Sequence, residues 1–343
     1  MEIKHGALTF SVEDGVVVLS RAWNLEGRTT LPVFDLAGGN ASGLDHYNYS
    51  EMTENLRYVS HEVAGDRLTI VQQSGNAKLY SEYRIFTDTN AVCITQTIEN
   101  VGQDEMTVEA LIGFSLRFGE FSENSDWYFH RFTNARYAES MPIVGSFYDL
   151  GLYHPNGCIT LKNASNASCV ESVPQTIVEH RPSGDCYFAA IESYSAWMMD
   201  LTVADGRFDL ALSGQNAHAF PWCRKLKTGE RYTAPSVAVC FGHGVNDALA
   251  NMTRYRRHIA CVAEESAVIY NEYMHFSWDD PNESRTLATA PFVKEAGAEY
   301  YIIDCGWHNA PEFSETDLMY RQFGTWKEDR ARHRAPEAPD GAC

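Results

Sequence analysis

Ala91-Val92-Cys93-Ile94-Thr95-Gln96-Thr97-Ile98 is the stretch on which the reading of the fold turns. It alternates apolar and polar side chains, with β-branched residues throughout, between the turn formers Thr87-Asp88-Thr89-Asn90 and Asn100-Val101-Gly102-Gln103. Such a run predicts a half-buried strand and not a helix. The pattern repeats outward: Val16-Val17-Val18-Leu19 follows Glu13-Asp14-Gly15, and Arg67-Leu68-Thr69-Ile70-Val71 follows Gly65-Asp66. Met106 to Leu116 continues the series. One strongly twisted sheet rarely exceeds about ten strands. Residues 1–243 are therefore expected to form a large antiparallel sandwich of stacked sheets.

The period changes at Val245. Leu249, Met252 and Ile259 recur at helical spacing, so 244–262 is read as a linking helix. Arg254-Tyr255-Arg256-Arg257 then reads as its solvated face. Ala267 to Tyr273 is a buried-strand candidate, followed by a polar loop to Asn282. Helical signals run from Glu283 to Ala296, with Asn282 as N-cap and Gly297 as the C′ residue, while Pro291 should kink or split the interior. Glu299 to Asp304 is a second buried strand. Strand, helix and strand in this order form a βαβ unit, whose parallel strands belong to an α/β sheet or barrel. That region is placed at 263–328, and 329–343 is an irregular tail carrying Arg330, Arg332, Arg334, Pro336 and Pro339.

Composition narrows the function. The 343 residues carry 27 Lys plus Arg against 46 Asp plus Glu, a net charge of -19, which repels phosphate backbones and anionic lipid heads. Nucleic-acid and membrane partners are not expected, and with no signal-like N-terminus or long apolar span the reading is cytoplasmic. Nine cysteines without a CxxC pair indicate reduced, mostly buried thiols and no zinc site. No histidine shows metal-ligand spacing, and no nucleotide-binding or serine-hydrolase motif occurs.

The informative cluster is Asp304-Cys305-Gly306-Trp307, followed by Gly324-Thr325-Trp326. Polar residues just past the C-terminal end of a parallel strand line the active-site mouth of α/β folds. A carboxylate accepts bonds from sugar hydroxyls, and an indole packs on the apolar face of a pyranose. The competing reading is a capping Asp and a core Trp.

Together with the segment from Ala267 through Asn282 and the helix ending at Gly297, these residues resemble the start of the barrel in glycoside hydrolase family 36, the melibiase-type α-galactosidases. The strand-rich region in front is similar to that family's N-terminal β-supersandwich in order and size. The resemblance implies an all-β supersandwich followed by the beginning of a (β/α)8 barrel, and a retaining hydrolase of terminal α-linked galactose that works with neither a metal nor an organic cofactor. Its ligands would be α-galactoside oligosaccharides, and a homo-oligomer is open. Such an enzyme uses two carboxylates about 5 to 5.5 Å apart. In the family both lie on later barrel strands, so no catalytic residue is assigned here and the pair is expected beyond the C-terminus. The 82 residues from Val262 to Cys343 compare with a typical barrel of about 250, which reads as truncation and predicts an inactive chain.

By the resemblance, Asp304 binds sugar hydroxyls, Trp307 and Trp326 wall the pocket, and Tyr273 supplies an aromatic residue after the first strand. Cys305 stands where the family commonly has a second aspartate, and a thiol cannot replace a carboxylate's two strong bonds. A relative acting on α-N-acetylgalactosamine, or transferring galactose, therefore stays open. So does a noncatalytic carbohydrate-binding or assembly protein built on the sandwich.

Overall fold

The computed structural model describes residues 1–39, 50–135, 137–164, 170, 172–193, 195–260, 266–275, 281–304 and 307. The chain divides into two compact units, Met1–Ala260 and Cys261–Cys343. In the first, β1 (Glu2–His5), β2 (Leu8–Glu13), β3 (Val16–Ala22) and β4 (Leu25–Thr30) form an antiparallel four-stranded sheet. Then come β5 (Phe34–Leu36), α1 (Glu51–Glu54), β6 (Arg57–Ala64), β7 (Arg67–Ser74), β8 (Ala77–Phe86), β9 (Ala91–Asn100) and β10 (Met106–Glu120). They are followed by β11 (Trp127–Ala135), β12 (Ala138–Ser146), β13 (Cys158–Asn163), β14 (Ser172–His180), β15 (Asp185–Glu192) and β16 (Trp197–Ala204). The unit ends with β17 (Arg207–Ser213), β18 (Arg224–Leu226), β19 (Arg231–Thr233), β20 (Ser236–His243) and the helix α2 (Val245–Ile259).

Two further antiparallel sheets organise these strands. A ten-stranded sheet runs β12-β11-β14-β15-β20-β9-β8-β7-β6, with β19 on β9; a six-stranded sheet runs β13-β16-β17-β10-β18, with β5 on β10. The expected sandwich is present, and its strands coincide with the alternating runs in the sequence. On β9, Val92, Ile94, Gln96, Ile98 and Asn100 are buried while the residues between them are partly exposed. Val92 and Ile94 meet Phe114, Leu116 and Phe118 of β10, Tyr187 of β15 and Val237 and Val239 of β20 in one core, to which Leu8, Phe10 and Val17 of the small sheet also belong. Asn100 is buried because it is satisfied: Nδ2 donates to the carbonyls of Asp104 and Leu226, both at 2.8 Å, and Oδ1 accepts from the Gly102 amide. The Asp14-Gly15 turn acts as read, and Asp205-Gly206 repeats its geometry. Asp14 and Gly15 at φ 50° and 79°, and Asp205 and Gly206 at 51° and 71°, make the left-handed pairs that match the twist of tight hairpins.

Helix α2 belongs to the first unit as well as ending it. Its buried face is Ala248, Asn251, Met252 and Tyr255, set against Phe86, Phe188, Ala238 and Cys240 of the ten-stranded sheet. The expected stripe is thus corrected: Leu249 and Ile259 are exposed, and Tyr255, read as part of a solvated face, is buried. The helix approaches so closely that a Cβ at Gly242 would stand 2.4 Å from the Ala248 nitrogen. That approach selects the small residue at 248, not the leucine beside it, for the interface. The Tyr255 hydroxyl donates to Glu192 Oε1 at 2.7 Å and Ser236 to Oε2 at 2.5 Å.

The second unit contains β21 (Ile269–Asn271), α3 (Glu283–Glu295) and β22 (Tyr300–Ile302), with β21 and β22 parallel. Asn282 caps α3 by accepting from the Arg285 amide at 3.1 Å, and Gly297 follows it at φ +90°. Pro291 does not split the helix, which runs from Glu283 to Glu295 as one element. Its position is exposed, as is Leu287 one turn earlier, so the carbonyl that loses its amide partner faces water and the cost is limited. The two strands are shorter than expected and not buried: only Tyr270 and Tyr301 of their six residues are even half-buried. Among the described residues, two parallel strands with one crossover helix leave a sheet face uncovered.

The thiols also differ from expectation. Of the described cysteines, Cys186 and Cys240 are buried, Cys93 and Cys158 half-buried and Cys223 exposed; all five are free. Burial pushes the Cys186 and Cys240 thiols up to about 12, which makes them inert.

Candidate functional site

The mouth of the second unit is set by the parallel register, in which Asn271 pairs with Ile302. Asn271 ends β21, and Asp304 follows β22 by two residues, so both emerge at the C-terminal edge. There Asn271 Nδ2 donates to Asp304 Oδ2 at 2.6 Å, and Asn271 Oδ1 accepts from the Tyr273 amide at 2.9 Å. The side chain of Asn271 thereby ties the carboxylate after one strand to the turn after the other. Bonding to an ionised acceptor makes the first contact a strong one.

The expected residues fare differently. Asp304 and Tyr273 are brought to a common hub, and both side chains are half-buried. Trp307 is half-buried. Cys305 and Trp326 lie outside the described residues. In the sequence Asn271 is one residue of a strand; its position as the last strand residue before a polar loop is the signal that marks it.

A second group was missed altogether. Glu272 is 2% exposed, and its Oε2 accepts from the Tyr301 hydroxyl at 2.8 Å and the Thr286 hydroxyl at 3.3 Å. Its Oε1 is sealed from water without a hydrogen-bond partner among the described residues. Next to it, the Tyr270 hydroxyl meets His275 Nδ1 at 2.6 Å, and the rings of Tyr270 and Tyr301 lie 5.1 Å apart. Burial first, and then the bond to Glu272, holds the Tyr301 hydroxyl well above its ordinary range. Burial and the Glu272 charge also raise the Tyr270 hydroxyl. Both phenols therefore stay protonated as donors at neutral pH. Alternation puts Tyr270 and Glu272 on one side of β21 and Asn271 and Tyr273 on the other. The buried side supports; the other side carries the amide and the carboxylate, groups able to donate to and accept from hydroxyls.

Among the described residues no group of three or more His, Cys, Asp or Glu is arranged to hold a metal ion, and no helix is long and apolar enough to cross a membrane.

No protein-family profile matches the chain, and no curated protein matches it by sequence. Solved structures do. The fold is that of α-galactosidases of glycoside hydrolase family 36. The chain is similar to the α-galactosidase AgaA of Geobacillus stearothermophilus, with a TM-score of 0.70 and 16% identity over 97% of this chain and 53% of that one. AgaB of the same organism gives 0.72 and 14%, over 96% and 52%. The galactosidase domain of the α-galactosidase-sucrose kinase AgaSK gives 0.73 and 16%, over 96% and 52%. At these identities the likeness is one of fold, and the chain spans about half the length of each enzyme. AgaA variants have been crystallised with 1-deoxygalactonojirimycin, raffinose and stachyose.

Proposed function

We propose that the chain is the β-supersandwich and opening βα portion of a retaining α-galactosidase of the family 36 type, with terminal α-linked galactose as the sugar bound. The observation that carries this reading is the Asn271–Asp304 bond across the ends of two parallel strands, where a (β/α)8 barrel binds its substrate. In this role Asp304 accepts from sugar hydroxyls, Asn271 holds its carboxylate in place, and Tyr273, Trp307, Trp326 and Cys305 line the pocket. The apolar residues exposed on the second unit, Phe292 at 71% and Leu287 at 64% among them, are faces that further βα units cover in such a barrel. The nucleophile and the acid belong to those later strands. Hydrolysis by this route needs both, each supplying several orders of magnitude in rate, so the purified chain should not turn over an aryl α-galactoside.

The test is a chimera in which residues 1–307 are completed by the later barrel strands of AgaA. It should hydrolyse an aryl α-galactoside. Asp304→Asn in that chimera should lower kcat/KM about 10- to 100-fold, the equivalent of a charge-assisted bond of roughly 1.5–3 kcal/mol. Unchanged kcat/KM in Asp304→Asn, with the chimera active, would remove Asp304 from the site. Turnover by the purified chain alone would show that the catalytic carboxylates lie within it.

A further inference from the structure

The first unit has a cavity of about 280 Å3. At roughly 30 Å3 per water, this is room for on the order of nine waters, or for one monosaccharide ring without its neighbours. Strands of the sandwich and the short helix α1, through Thr53 and Glu54, line it. Thr29 and Thr30 close β4, Ser115 and Arg117 come from β10, and Asp209 comes from β17. Asp205 is carried to the rim by the left-handed Asp205-Gly206 turn between β16 and β17.

Arg117 and Asp209 form an ion pair whose side chains are 17% and 2% exposed. Arg117 Nε donates to Asp209 Oδ1 at 2.7 Å and Nη2 to Oδ2 at 2.6 Å. The two residues face each other across the paired strands β10 and β17 of one sheet, where apolar side chains of similar size would stabilise the pairing at least as well as a buried ion pair. Stability alone therefore does not account for this pair in the lining of a cavity. Its geometry fixes the guanidinium with Nη1 turned away from Asp209 and 3.8 Å from Asp205 Oδ2, too far for a direct hydrogen bond. The result is a rigid donor beside an acceptor that is 87% exposed, spaced to meet two neighbouring hydroxyls of one ligand. Thr30 and Ser115 add hydroxyls that both donate and accept.

Charge narrows the ligand. Asp205, Asp209 and Glu54 face two guanidiniums, Arg117 and Arg28, and Arg28 is already paired with Glu13 at 2.8 Å. The lining is thus net negative and disfavours phosphate or sulfate. A cation is not favoured either, because Asp209 is committed to Arg117. A neutral polyol fits both constraints.

We propose that this cavity is a monosaccharide-binding site on the β-sandwich, in which Arg117 Nη1 donates to one sugar hydroxyl and Asp205 accepts from the next. The proposal is independent of the assignment of the C-terminal unit. It is tested on the full chain by calorimetric titration with D-galactose, D-glucose and inorganic phosphate. Saturable one-site binding of a hexose is expected, weakened about tenfold or more in Asp205→Gly, which keeps the left-handed turn, and in Thr30→Val. Asp304→Asn should leave it intact. Should Thr30→Val lower the melting temperature, Asp205→Gly alone decides. Absence of saturable binding by both hexoses would overturn the proposal. So would binding that is lost in Asp304→Asn and kept in Asp205→Gly, or phosphate competing with the hexose.

Discussion

Strands β16 and β22 are both rich in apolar residues, yet every residue of β16 is buried while Tyr300 and Ile302 of β22 are 61% and 41% exposed. The difference lies in what surrounds them. β16 pairs with β13 and β17, and its Trp197, Met199 and Leu201 enter a core shared by three sheets. β22 has one partner strand among the described residues. An apolar run states what a strand is able to bury; the neighbours decide whether it does.

The largest effect that would break this comparison is proteolytic. Limited digestion should remove the C-terminal unit first and leave a fragment ending near residue 260, because α2 is fastened to the sheet by Met252 and Tyr255. A resistant fragment ending near 243 would show that α2 is only a link. Trp197→Ala should destabilise the sandwich by about 3–5 kcal/mol, a fall of on the order of ten degrees in melting temperature. Tyr300→Ala should leave that transition where it is. Glu272→Ala, which strips the Tyr301 and Thr286 hydroxyls of their acceptor, should speed amide exchange in β21 and β22 and leave exchange in β9 and β20 unchanged.

On α2, Ala248→Leu should cost about 1–3 kcal/mol by overpacking against Gly242, whereas Leu249→Ala should stay within about 0.5 kcal/mol. The smallest effect concerns pH. The Tyr80 hydroxyl at 2.7 Å, followed by Arg231, holds the Glu99 carboxyl below its usual range. Its contribution to stability is therefore complete above the unfolded value of about 4.3 and is lost as pH falls through the lower folded value. Glu99→Gln should make the acid fall in melting temperature shallower, by less than about 1 kcal/mol of stability for a surface cluster. A steeper fall would mean that the carboxyl is not held by these partners.

What the sequence shows follows the same division. Period-two runs bounded by Asp-Gly and Asn-rich turns located the strands, because alternation and turn chemistry are local. The face that α2 buries was not legible, since it depends on a glycine of the strand before it and on residues of β8 and β15. At the candidate site Asp304 stands out as a carboxylate at a strand end. Asn271 and Glu272 do not, because their roles arise from a parallel pairing with residues about thirty positions away. The pairing of Arg117 with Asp209, nearly a hundred residues apart, leaves no trace in either neighbourhood.

The place of β20 constrains how the protein is made. It is the last strand of the first unit, yet it lies in the middle of the ten-stranded sheet, between β15 and β9. Until the ribosome has released it, β15 has no partner on that side, β9 has only the short β19 at its far end, and the sheet exists as two separate halves. At about 5–20 residues per second, β9 waits on the order of ten seconds for this partner. Nascent chains arrested before Ser236 should therefore be open to protease and to chaperone capture over both halves, and chains arrested well past His243 should not.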